Sequence, residues 1–448
     1  MSIPSPAPPV ACGRLSPAEY ARNFADAHPP LTPVQALLEA ERCYYCHDAP
    51  CTTACPTGID IPTFIARIAQ GNLRGAAHAI LEENVLGGMC ARVCPTEVLC
   101  EQACVRNAQE DKPVEIGLLQ RHATDAYFAK PGAPLFTRAP ASGHKVAVVG
   151  AGPAGLACAH RLAMLGHAVT LFDNKPKLGG LNEYGLAAYK TVDGFAQKEI
   201  DWLLSIGGIE VRAQHSLGRD MHLDALVRDF DAVFLGLGLA GVNTLGIAEP
   251  VDAAARAAVD FIAELRQAAS PASVAVGRRV VVIGGGMTAV DAAVQSRLLG
   301  AEDVTMVYRR GPEAMSASEH EQQWARTQGV RIKHWGAPQQ MLIADGRVLG
   351  VRFARTAMSG GRLIETDERF DIEADMVLTA IGQCFEAQPL GLALTLKEGR
   401  IATDAEGQTS HAKVWAGGDC RHGGRDLTVE AVEHGKVAAM AIDGTLRA

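Results

Sequence analysis

No stretch of this 448-residue chain holds the ~20 consecutive apolar residues that a membrane span needs. Its start, Met1-Ser-Ile-Pro-Ser-Pro-Ala-Pro-Pro-Val10, has neither the basic flank nor the apolar core of a signal peptide. Long basic runs are missing and the net charge is −8, which argues against nucleic acid or an anionic membrane as partner. Cysteine is scarce over most of the length: after Cys104 the chain has three, Cys158, Cys384 and Cys420. A secreted disulfide framework is thereby excluded, and a soluble cytoplasmic protein is expected.

What is there is concentrated. Eight of the twelve cysteines lie between Cys43 and Cys104. A Pro-rich tail carrying Cys12, expected to be mobile, precedes helical patterns such as Pro33–Glu41 and Ile61–Ala69, with apolar residues at three- and four-residue intervals. Lys130-Pro-Gly-Ala-Pro to Ser142-Gly143 reads as a linker. Beyond it, strand–glycine–helix units begin at Lys145 and at Arg279, and alternating strands and helices over 145–448 predict parallel sheets. The fold class is α/β: an α-helical two-cluster iron–sulfur domain over 1–140, then two doubly wound, Rossmann-like dinucleotide-binding domains of glutathione-reductase type. The first of these spans 141–242 plus 382–448 and the second 243–381.

The cysteines form two sets, Cys43-x2-Cys46-x4-Cys51-x3-Cys55-Pro56 and Cys90-x3-Cys94-Pro95 with Cys100-x3-Cys104. Four thiolates serve zinc as well as an iron–sulfur cluster. Zinc sites pair two short Cys-x2-Cys hooks, whereas here one hook is followed by cysteines at longer intervals. A cysteine before proline in two-cluster ferredoxin-like segments ligates the other cluster. Iron–sulfur is therefore the expectation, with Cys55 turning away from Cys43, Cys46 and Cys51. A bare count gives four ligands per set, and spacing does not identify each fourth ligand.

Gly150-Ala-Gly152-Pro153-Ala154-Gly155 follows the strand Lys145-Val-Ala-Val-Val149, giving a tight turn, a close phosphate approach and helix–strand packing. Val169-Thr-Leu-Phe-Asp173 ends in an acid suited to a ribose hydroxyl. Gly179-Gly180-Leu181 and the distant Gly417-Gly418-Asp419, with Thr428 and Val429 opening the last helix, complete an expected FAD site. The second fold reads Gly284-Gly-Gly286-Met287-Thr288-Ala289, and its second strand ends in Arg309-Arg310 rather than an acid. Arginines there suit a 2′-phosphate, yet one stacked on adenine and one solvated leave NADH acceptable. Gly382 is counted with the dinucleotide residues. No cysteine pair follows the first fingerprint in Leu181–Lys190, so a reduced flavin has no dithiol nearby and the clusters are the exit. Cys158 reads as core packing; Cys384 and Cys420 are minor candidates for a role near the flavin.

These motifs resemble the flavin-bearing half of dihydropyrimidine dehydrogenase and, through the same motifs, the small subunit of glutamate synthase, from about residue 35 onward. Cys94-x5-Cys100 and Gln120 resemble the former more, since the latter typically has a shorter gap and glutamate. The resemblance implies one [4Fe-4S] cluster on Cys43, Cys46, Cys51 and Cys94, and a second on Cys55, Cys100, Cys104 and Gln120, with Cys90 a neighbour. It implies Lys190 near the FAD phosphates in place of a common arginine. Ser316 stands where NADPH-specific relatives have an arginine. Because no FMN barrel follows within 448 residues, the likeness is to the separate electron-input subunit of the bacterial two-subunit enzyme. Hydride would pass from NADH or NADPH to FAD, and electrons through the clusters to an FMN-containing partner subunit that reduces uracil or thymine. No residue of this chain need act as acid or nucleophile. The alternatives are a glutamate synthase small subunit or related NAD(P)H:acceptor oxidoreductase, and a non-catalytic assembly subunit holding zinc.

Overall fold

A computed structural model describes residues 9–130, 132–247 and 255–448, and these fall into two compact units. Among the described residues no helix is long and apolar enough to cross a membrane.

The larger unit covers 28–183, 193–241 and 384–448. Its N-terminal part is helical: Pro33–Glu41, Ile61–Ala69, Leu73–Glu83 and Ile116–Ala129 bury Phe64, Ile65, Ile80 and Leu119 between them. Local chemistry sets their starts. Thr32 and Gln35 form a capping box before Pro33, and the side chains of Asp60 and Asn72 accept from Thr63 N–H and Gly75 N–H. The short helix Gly87–Val93 carries Cys90 and leads into Cys94.

In the same unit a five-stranded parallel sheet runs Val414–Ala416, Ala232–Leu235, Lys145–Val149, Ala168–Phe172, Ile209–Arg212. The helices Pro153–Met164 and Thr428–Arg447 cross closely on it. A Cβ on Gly435 would fall 2.1 Å from Ala154 O, so only glycine permits that approach.

The other unit comprises 9–27, 184–192 and the described part of 242–383. Its parallel sheet runs Arg331–His334, Asp303–Tyr308, Arg279–Gly284, Met376–Ala380, Arg256–Ala257. Two sequence expectations are corrected here. Strands Gly336–Ala344, Arg347–Ser359 and Arg362–Glu373 form an antiparallel meander rather than part of a parallel sheet. The segment 9–27, expected with the cysteine-bearing domain, belongs to this unit: Val10–Ala11 pairs with Val276–Gly277, and Tyr20 is buried with its hydroxyl donating to Leu299 O. Cys12 accordingly sits in ordered chain, its thiol donating to Ser273 O at 3.2 Å.

Candidate cofactor and cluster sites

The first phosphate turn is shaped by backbone contact. Gly150 has φ +98°, and a Cβ there would lie 2.2 Å from Gly236 O; one on Gly155 would lie 1.8 Å from Gly150 O. Gly152 caps the helix that Pro153 and Ala154 open. Gly180 presses its Cα side against the turn, since a Cβ would stand 2.8 Å from Gly152 Cα, and Leu181 beside it is exposed. Asp173 ends its strand with a buried carboxylate that accepts from Ala151 N–H at 2.6 Å and Lys175 N–H at 2.8 Å. Burial pushes its pKa upward, against those two bonds. A cradle that excludes a Cβ at three glycines, at a helix N-terminus, fits a pyrophosphate.

At the far end of this fold Gly418 takes φ +70° and sends its N–H to His434 Nδ1 at 3.2 Å. Burial, then Arg421, lowers the His434 pKa to about 4, so the ring stays a neutral acceptor. Asp419 is pushed up to about 6 by burial, with Asp426 and Glu430 adding and Arg400 opposing. Thr428 donates to Asn182 Oδ1 at 2.9 Å, joining the last helix to the Gly179-Gly180 turn, and Val429 is buried. His434, Arg400 and Asn182 escaped the sequence reading because none lies in a recognisable motif. The thiol of Cys420 donates to Leu235 O and is held at about 11 by burial, so the expectation of a possible flavin role gives way to an inert packing thiol. Cys158 is likewise buried, and Cys384 is exposed.

The second turn repeats the pattern. Gly284 (φ +154°) would bring a Cβ 2.2 Å from Ala380 O, and Gly285 lies under the Tyr308 ring. Gly286 caps the helix that Met287 and Thr288 begin. The backbones of Arg309 and Arg310 are fixed by Thr356 Oγ1–H and Trp335 N–H, and both residues are exposed. Ser316 Oγ is 3.1 Å from where a Gly286 Cβ would stand. Gly382 (φ +98°) accepts from Asn243 N–H in the same unit.

Lys190 is a correction. It is 6% exposed and its ammonium is enclosed by Asp291 Oδ1 at 2.8 Å and Glu321 Oε1 at 2.7 Å, with Tyr189 also donating to Asp291. A charge committed to two buried carboxylates is a structural ion cluster rather than a phosphate ligand.

The cysteines form two groups, and their membership differs from the expected one. Cys43, Cys46, Cys51 and Cys104 line one cavity with Tyr44, Ile61 and Arg106. Cys94 instead hydrogen-bonds Cys90 and neighbours Cys100 and Cys55. The physical cause is the return of the chain after Cys104: Arg106 Nε donates to Arg42 O at 2.6 Å, and its guanidinium lies 3.8 Å over the Tyr44 ring. That clamp holds Cys104 beside Cys43. Cys100 senses both Cys55 and Cys51, so the two groups adjoin. Gln120, 8% exposed, donates from Nε2 to Gly87 O at 2.7 Å. A carbonyl partner fixes the amide orientation and leaves Oε1 as the acceptor end. Among the described residues no three His, Cys, Asp or Glu side chains converge as a single-ion site; the first four sulfurs ring a cavity. Burial raises the Cys43 thiol and lifts Cys51 to about 11, so a bound cation is what favours their thiolate form. The donor set therefore fits iron–sulfur clusters.

Glu199, which lies in no sequence motif, is fully buried on Phe195–Leu204 and accepts from Gly88 N–H at 2.7 Å and Met89 N–H at 3.3 Å. It ties the flavin fold to the helix that leads into Cys94. Leu427 and Val429, at the start of the last helix, pack on Cys90, Cys94 and Leu99.

Residues 20–131 match the family profile described as dihydropyrimidine dehydrogenase domain II, 4Fe-4S cluster, and residues 144–435 match that of pyridine nucleotide-disulphide oxidoreductase. The chain is 33% identical to the NAD-dependent dihydropyrimidine dehydrogenase subunit PreT homolog of Salmonella typhi, covering 94% of this chain and 97% of that one. It is 34% identical to the glutamate synthase [NADPH] small chain of Escherichia coli K12, over 94% and 93% respectively. Among solved structures, thioredoxin reductase of T. acidophilum shares the fold at TM-score 0.54 and 20% identity, covering 68% of this chain and 100% of that one. The chain belongs to the pyridine nucleotide-disulphide oxidoreductase family and, with its 4Fe-4S domain, is an NAD(P)H-dependent flavin and iron–sulfur oxidoreductase subunit of the kind shared by dihydropyrimidine dehydrogenases and glutamate synthases.

Proposed function

We propose that this chain is the cytoplasmic electron-input subunit of a two-subunit dihydropyrimidine dehydrogenase, delivering reducing equivalents to an FMN-containing partner that reduces uracil or thymine at the 5,6 bond. When bound, FAD accepts a hydride from the reduced nicotinamide and the iron–sulfur clusters carry the electrons away singly. Gly150, Gly152, Pro153, Ala154, Gly155, Gly180 and Leu181 hold the FAD pyrophosphate, Asp173 its ribose, and Gly418, Asp419, Thr428 and Val429 its central part. Gly284, Gly286, Met287, Thr288, Arg309, Arg310 and Gly382 serve the dinucleotide. Cys55, Cys94, Cys100 and Gln120 ligate the inner cluster; Cys43, Cys46, Cys51 and Cys104 ligate the outer one.

The observation that carries this reading is the packing of Leu427 and Val429 on Cys90 and Cys94. It sets the inner cysteines against the helix start that closes the FAD site, while the outer group opens beside exposed Tyr44. Bound in these places, the groups would supply a relay in the order flavin, inner cluster, outer cluster, and a reducing compartment suits its thiolates.

The comparable identity to a glutamate synthase small chain supports a second reading. Gln120 and the Cys94–Cys100 spacing weigh against it, since a neutral amide leaves the cluster one negative charge poorer than a carboxylate. The test is to copurify the chain with the FMN subunit and follow uracil-dependent oxidation of NADH and of NADPH. Uracil turnover is expected. Its absence, with glutamate formed from 2-oxoglutarate and glutamine beside a glutamate synthase large subunit, selects the second reading.

A further inference from the structure

We propose that the exposed apolar face of the helix Pro33–Glu41, continued by Tyr44 and Tyr45, is the surface on which the electron-accepting FMN subunit docks. The inference rests on the relay proposed above and names its exit.

Val34, Leu37 and Leu38 are 68%, 41% and 60% exposed, and their spacing sets them on one side of the helix. Ala36 and Ala40, on the other side, are fully buried against the cluster domain. Three large aliphatics in the open on one short helix form a contiguous patch rather than scattered surface residues. The chain then runs directly into the first cysteine pair. Tyr45 is exposed, and its hydroxyl donates to Ala40 O at 3.3 Å, which lays the ring along the last turn of that helix. Its φ of +52° is one that side-chain-bearing residues rarely adopt, and in that conformation its N–H reaches Cys43 Sγ at 3.4 Å. The exposed ring and the cluster sulfur are thus fixed by one backbone turn. Tyr44, half exposed, is a wall of the cavity that Cys43, Cys46, Cys51 and Cys104 ring.

Two arguments choose the occupant. Electron tunnelling falls steeply with distance, so an acceptor must seat over the outer cluster. The inner group is less open to it, because Cys100 is buried and Cys94 packs against the buried cluster of Cys90, Leu99 and Val429. The rim supplies the second argument. Glu41 and Asp48 are exposed beside the patch, so the matching surface is apolar at its centre, with basic residues at the edge. Exposed tyrosines adjoining such a patch are typical energetic anchors.

The test uses the full chain with its FAD and clusters, co-expressed with the FMN subunit. In a Val34→Glu, Leu38→Glu double variant, iron content and NADH–ferricyanide activity are expected to stay within about twofold of wild type. The partner concentration for half-maximal uracil-dependent NADH oxidation is expected to rise at least about tenfold, with co-elution lost. Met358→Glu, which removes an exposed apolar side chain in the other unit, should change neither. The proposal is overturned if the double variant binds partner like wild type with its clusters intact, or if Met358→Glu weakens binding equally. It is also overturned if the double variant only dissociates a self-dimer of this chain. Loss of co-elution in an enzyme whose wild type turns over no uracil would uphold the surface and remove the pyrimidine assignment. Failure of the wild-type chain to bind the FMN subunit would remove both.

Discussion

Ser316 Oγ lies 3.1 Å from the point where a side chain on Gly286 would begin, at the mouth of the second phosphate turn. Arg309 and Arg310 stand exposed at the end of the neighbouring strand. A hydroxyl at 316 leaves a 2′-phosphate with fewer cationic partners, which favours NADH. Replacing Ser316 by Arg adds a charge-assisted bond available to NADPH alone. The ratio of kcat/KM for NADPH over NADH should rise about tenfold, equivalent to ~1.4 kcal/mol. An unchanged ratio in steady-state assays would show that position 316 does not face the ribose. At this scale the glycines were legible, because positions that tolerate no Cβ leave a mark in any sequence. Lys190 was not: its partners Asp291 and Glu321 lie 101 and 131 residues away, and no local pattern announces a buried ion cluster.

Glu199 acts at the scale of a helix. Its carboxyl stands where a Cβ on Gly88 would approach it at 2.8 Å, so glycine at 88 and acid at 199 depend on each other. Arg92, one turn further along the same short helix, lies 3.4 Å over the Phe195 ring and pairs with Asp125 at 2.6 Å. Burial raises the Glu199 pKa from 4.5 to about 8, despite the two amide bonds. A carboxyl that is harder to ionise when folded adds stability at low pH, and that contribution declines as pH climbs from 4.5 towards 8. Glu199→Gln keeps a hydrogen-bond acceptor for Gly88 N–H and cannot ionise. Its Tm relative to wild type should therefore increase between pH 5 and pH 8.5, by a few degrees at roughly 2–4 °C per kcal/mol. Parallel Tm curves across that range would show that Glu199 is uncharged throughout or freely hydrated. Among elements, the strand–turn–helix units were legible from glycine and β-branched runs. The meander over 336–373 is less legible, although Asp345-Gly346 and Gly360-Gly361 mark its two hairpin turns. The alternation of the flanking folds masked it.

The whole molecule decides which cysteines share a cluster. The resemblance implies that Cys94 completes the first set, but a ligand set is made by the path of the chain in space. Here the Arg106–Arg42 bond and the stacking of Arg106 on Tyr44 return Cys104 to Cys43, while Cys94 stays at the end of the helix that Glu199 holds. The two groupings predict different pairs of variants with the same defect. On the spatial grouping, Cys104→Ala and Cys43→Ala each lose the outer cluster, so both halve the iron content and abolish the same low-temperature EPR signal after dithionite reduction. Cys94→Ala and Cys100→Ala lose the other signal. The relay order adds a functional asymmetry. Without the outer cluster, NADH should still reduce the inner one while delivery to the FMN subunit stops. Without the inner cluster, dithionite should reduce the outer one, but NADH should do so at least about a hundredfold more slowly, equivalent to ~2.8 kcal/mol in the barrier. If Cys94→Ala removes the same signal as Cys43→Ala, the grouping drawn from the fold is wrong. If NADH reduces the outer cluster as fast in Cys100→Ala as in the native chain, the inner group is not on the route.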